Sequence, residues 1–128
     1  MKAKNTLIVL ILMLFFCGTY ASAQTVDIEI HIKGIHEAKG MVLLALGNLD
    51  EPEKLFTGMK GVTETGELVY SLQGVPDGWE TTLNVFQDLD GDAKLYVDAN
   101  GIPAEPCAAQ AVTIKADHPV VEISLMHF

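Results

Sequence analysis

The chain has 128 residues, 49% of them hydrophobic and 7% aromatic, with two cysteines, no arginine and a formal net charge of −9. That length holds a single domain with one modest core. A surface this acidic excludes the cationic footprint that nucleic acid and anionic lipid require, so neither is an expected partner.

The first 23 residues read as a targeting leader. Lys2 and Lys4 form a positive start, Leu7 to Phe16 is an unbroken apolar run, and Ala21-Ser22-Ala23 is the small-x-small pattern of a signal peptidase site. The run is shorter than the roughly 20 residues of a membrane span. Cys17 stands where a lipid-modified cysteine would, but Phe16 before it is bulky where that pattern needs a small residue. Cleavage is expected after Ala23. That leaves a mature chain from Gln24 exported to the periplasm or beyond, with residues 24–128 as one β domain. Losing Lys2 and Lys4 takes the net charge from −9 to −11. Such acidity serves either solubility or cation binding. Cys107 is then the remaining cysteine, so no internal disulfide forms. Its neighbours Pro106 and Ala108 offer no group that would lower a thiol pKa, which marks it as a small buried residue rather than a nucleophile.

Val26, Ile28, Ile30 and Ile32 alternate with Asp27, Glu29, His31 and Lys33, the period of a half-buried strand that Gly34 should end. Met41 to Leu46 is apolar on both faces, as in a central strand. Asn48 to Pro52 is turn-prone, and Lys54 to Met59 is the one place for a short helical turn. Leu68, Tyr70 and Leu72 share the face of another strand. Val75-Pro76-Asp77-Gly78 is a turn, with Pro76 presetting φ and Gly78 tolerating a positive one. A strand from Trp79 to Gln87, with Leu83 and Val85 on one face, runs into an acidic loop. Ala111 to Ile114, a turn at Asp117-His118-Pro119, and a last strand from Val120 to Phe128 complete the pattern. Val121, Ile123 and Leu125 should lie inside a sheet. About seven short strands and almost no helical period predict an all-β antiparallel sandwich.

The acidic loop carries the chemistry. Asp88, Asp90 and Asp92 alternate, with Lys94 next and Asp98 close behind. Like charges gathered this closely repel unless a cation or water separates them. Calcium takes about 6–8 oxygens, and alternating acids with a backbone carbonyl supply them well. The expected shell is Asp88, Asp90, Asp92 and Asp98 with the Lys94 carbonyl. The order differs from an EF-hand loop: Gly91 precedes Asp92, Ala93 holds the usual glycine place, and no glutamate stands at the twelfth position. The alternative is a metal-free turn in which aspartates accept from nearby backbone N–H groups. Zinc suits the ligand set poorly, because oxygens dominate and the histidines are scattered.

With Gly78-Trp79, the strand into Gln87-Asp88, the Asp/Gly run and Gly101-Ile102-Pro103-Ala104-Glu105, the sequence resembles the bacterial exported family called domain of unknown function 2141. The likeness covers the whole mature chain in order, and the acidic loop and the Gly-Ile-Pro-x-Glu tag together are its specific part. It implies an immunoglobulin-like or transthyretin-like sandwich and no established activity. One departure stands out. Family members tend to follow Lys-Leu with an aspartate, whereas Lys94-Leu95 is followed here by Tyr96, so Asp98 would have to replace that ligand.

Other candidates are weaker. His31 and His36 are too irregularly spaced for a ligand pair, and His118 belongs to a turn. Glu105 either caps loop N–H groups and holds the Pro-rich segment, or pairs with Asp88 as the acid and base of a hydrolase acting on glycan or peptide. Trp79 and Tyr96 would make a sugar-stacking platform if they met. The resulting expectation is an exported, monomeric β-sandwich that binds a protein or glycan or serves structure, with a calcium-stabilised loop. A secreted hydrolase and a carbohydrate-binding or adhesion module are the alternatives.

Overall fold

The structure, a computed structural model, describes residues 24–128. The expected leader, with its cleavage site and Cys17, lies outside the described residues. Seven strands follow in order: β1 (Thr25–Ile35), β2 (Met41–Leu46), β3 (Phe56–Gly61), β4 (Gly66–Pro76), β5 (Glu80–Asp88), β6 (Cys107–Thr113) and β7 (Val120–Ser124). They form two sheets in the orders β4-β1-β7 and β3-β2-β5-β6. The architecture is the β-sandwich that the alternating patterns predict. Among the described residues no helix is long and apolar enough to cross a membrane.

The core lies between the sheets. Val26, Ile28, Ile30 and Ile32 are all buried, the last two completely, and they face Val42, Leu44, Leu46, Leu83 and Val85 across the interface. Their polar neighbours point outward, as a period of two requires. On that outer face His31 sits between two carboxylates, with Nε2 3.1 Å from Glu29 and Nδ1 3.0 Å from Glu67. Hydrogen bonding to Glu29, then to Glu67, raises its pKa above 6.5. A raised histidine pKa stabilises the fold fully below the unfolded value of about 6.5 and loses that contribution as pH rises through the folded pKa. An NMR titration is expected to show His31 titrating above 6.5 and Glu67→Gln lowering its midpoint. A His31 midpoint unchanged by Glu67→Gln would remove the ion pair from the account.

Four expectations need correction. The sandwich is not wholly antiparallel, because β7 runs parallel to β1, with Glu29 opposite Val120 and Lys33 opposite Ser124. β6 finishes at the end of the sandwich where β1 begins, where Gly78 N–H donates to Ile114 and Asp77 N–H to Gln24. A short crossover from that end leaves β7 only the direction of β1. Second, Gly34 does not stop β1. It takes φ +82° at a register irregularity, and the strand continues to a buried Ile35.

Third, Lys54 to Met59 is not helical. A single 3₁₀ turn covers Pro52–Lys54, and the rest is the edge strand β3. Packing decides this: Phe56 lies against the core, and the Tyr70 ring lies where a side chain on Gly58 would stand. Fourth, β7 stops at Ser124, and the chain then changes sheets. Leu125 N–H donates to Lys33 of β1 at 2.8 Å, and Met126 pairs with Cys107 of β6. Ile123 and Leu125 are buried, whereas Val121 is half-buried.

Candidate metal centre in the acidic loop

β5 delivers Asp88 to the end of the sandwich, and residues 89–106 form a long excursion before β6. Neighbouring elements fix its base. Gln87 is 1% exposed, and its amide donates to the carbonyls of Glu37 and Lys39, both at 2.9 Å. Gly40 adopts φ +69° and packs against the Asp88 carbonyl so closely that any Cβ would collide with it. The other end is tied by Gln87 N–H to Pro106 at 2.9 Å.

Backbone N–H groups then wrap the carboxylates. Asp88 is 4% exposed, and its Oδ1 accepts from Gly91 at 3.0 Å while Oδ2 accepts from Ala93 at 2.8 Å. Ala93 takes φ +60°, a left-handed conformation unusual for a residue with a side chain, and this turns its N–H toward Asp88. Asp90 accepts from Asp92 N–H at 3.3 Å, and Asp92 from Lys94 N–H at 3.0 Å. Glu105 is 6% exposed, and its Oε2 accepts from Leu89 at 2.5 Å and from Asp90 at 3.2 Å. Its Oε1 is buried and has no hydrogen-bond partner among the described residues.

Carboxylate oxygens of Asp88, Asp90, Asp92 and Glu105 lie within 4.8 Å of one another. Repulsion among them shows in proton affinity. Hydrogen bonding to Asp92, then burial, then hydrogen bonding to Asp88, pushes Asp90 up to about 6. Burial alone would raise Asp88 too. The N–H of Ala93, the Asp90 side chain and the Gly91 N–H outweigh it and hold Asp88 below its ordinary value. Of these two carboxyls Asp90 is the more readily protonated, and a cation held here would compete with that proton.

Three of the expected ligands, Asp88, Asp90 and Asp92, are thus brought together. Asp98 is not with them. Its Oδ1 accepts from Asn100 at 2.8 Å and Ile102 at 2.9 Å, closing a second turn between the bridged residues Val97 and Pro103. Lys94 enters through its N–H to Asp92. The fourth carboxylate is Glu105, whose capping of loop N–H groups the sequence suggests but whose place in the cluster depends on the return of the chain from residue 106. Trp79 and Tyr96 form no ring pair among the described residues. Trp79 instead packs on the core with its ring 5.9 Å from Phe56, and Tyr96 is exposed. Cys107 is half-buried, and burial raises its thiol pKa. A stacked pair, His36 and His127 with ring centroids 3.6 Å apart, had no signal in the spacing of the sequence.

Fold and site together define an all-β sandwich with a four-carboxylate loop at one end that could hold a metal ion. Comparison with models of protein families, with curated proteins and with solved structures finds no match to this chain.

Proposed function

We propose that the protein is an exported binding or structural module whose acidic loop is ordered by calcium held by Asp88, Asp90, Asp92 and Glu105. The observation that carries this reading is Glu105 Oε1, a buried and unpartnered oxygen beside three aspartates. A buried acceptor without a partner is costly, and a cation removes the cost. The donor set is all oxygen, which suits calcium and disfavours zinc. Several of these oxygens already accept N–H bonds, so water must complete the shell and affinity is on the order of 10⁻⁴–10⁻³ M, as in extracellular modules. The leader pattern of Lys2, Lys4 and Ala21-Ser22-Ala23, and the likeness to an exported family, support export to the periplasm or beyond, with a protein or glycan as partner. The hydrolase reading gains less support. Both oxygens of Asp88 and one of Glu105 are engaged by the backbone.

Calorimetric melting in millimolar calcium against EDTA tests the proposal. Ligand at a hundred times its dissociation constant adds about 2.7 kcal/mol. A weak site is far from that limit, so a rise of only a few degrees in Tm is expected. Asp90→Ala should abolish the rise and Asp98→Ala should keep it. Equal melting of the wild type in calcium and EDTA would leave the loop as a metal-free turn.

A further inference from the structure

The outer face of the four-stranded sheet is a groove of about 820 Å³, and none of its lining side chains is charged. Leu43 and Ala45 of β2, Met59 of β3, Phe86 of β5 and Ala109 of β6 contribute to it, and among the described residues no third layer covers them. β2 is apolar on both faces, yet one face alone enters the core. The volume falls within the range of small-molecule sites, about 300–1,000 Å³. At the end away from the acidic loop, the groove shares Leu49 and Asn84 with a second cavity of about 600 Å³ whose wall carries Asp50 and Glu80. Neither of these side chains has an ion-pair partner among the described residues, and nearby Lys54 is turned to Glu51 at 3.7 Å.

We propose that this face binds an amphiphile with an apolar body and a cationic head, the body lying along the sheet and the head between Asp50 and Glu80. Charge selects this occupant. A fatty acid or other anionic amphiphile would place its head against two carboxylates on a chain of net charge −9. A second copy of the chain would bring two such charges together. The inference stands on the groove and its carboxylate end, and is independent of the cation in the acidic loop.

Calorimetric titration of the full chain with decylammonium, decyl maltoside and decyl sulfate, each below its micellar concentration, tests it. Decylammonium is expected to bind about tenfold more tightly than the maltoside, with the sulfate weakest. Asp50→Asn combined with Glu80→Gln should erase the preference for decylammonium and leave maltoside binding in place. Ala109→Trp should block all three ligands. Ala109 is exposed on an edge strand, so the variant should keep its melting temperature. Independently of any variant, decylammonium should slow alkylation of Cys107, which also lines the groove. Equal affinity for the three heads, no binding, or unprotected Cys107 would overturn the proposal. So would a dimer in sedimentation that Ala109→Trp dissociates, since a second copy would then cover the face.

Discussion

Replacing Ile30 by alanine is expected to destabilise the protein by about 2–5 kcal/mol, the range for large-to-small changes in a packed core. Ile30 has no exposed surface and sits in the middle strand of its sheet, between Tyr70 of β4 and Val121 of β7. Neither sheet can shift into the space without disturbing a ladder. Glu29→Ala, one residue away and pointing outward, should cost no more than about 0.5 kcal/mol, because it removes only an exposed partner of His31. Urea titrations of the two variants measure the contrast. Equal midpoints would mean that the faces of β1 are assigned the wrong way round.

Glu105 should show two separable effects. Glu105→Ala removes the acceptor for Leu89 and Asp90 N–H, leaving part-buried donors unpaired, at a cost of about 1–3 kcal/mol even in EDTA. Glu105→Gln keeps a carbonyl oxygen for those donors and discards the charge. It should retain most of the stability in EDTA while losing the response to calcium. Urea unfolding of wild type and both variants, with calcium and with EDTA, separates cap from ligand. A glutamine variant that still responds to calcium like the wild type would take Glu105 out of the metal shell.

Much of the fold is legible in residues whose local and global preferences agree. The alternation from Val26 to Ile32 places β1 and its buried face without reference to anything distant. Leu83 and Val85 do the same for β5. Legibility fails where a distant partner decides. Gly58 joins a strand because Tyr70 needs the room, and β7 runs parallel because of where β6 ends. At the site, the spacing of Asp88, Asp90 and Asp92 foretells their convergence, since each takes a backbone N–H within five residues. Asp98 is close in sequence but is captured by its own turn. Glu105 is the distant one, brought in by an excursion of some fifteen residues, and no local pattern fixes that return. The two-faced apolar character of β2 is legible, whereas the bare outer face is not. It depends on there being no element packed over the sheet among the described residues.

The position of β1 also governs the order of assembly. Its neighbours are β4 and β7, one drawn from the middle of the chain and the other about ninety residues away, the separation of Glu29 from Val120. Closing so wide a loop costs entropy before any pairing repays it, and all-β chains rich in such distant contacts fold in milliseconds to seconds rather than microseconds. β1 must therefore wait for β7. Until residues 120–124 leave the ribosome, Ile28, Ile30 and Ile32 have one bare edge and an incomplete cover, a state that a holding chaperone would recognise.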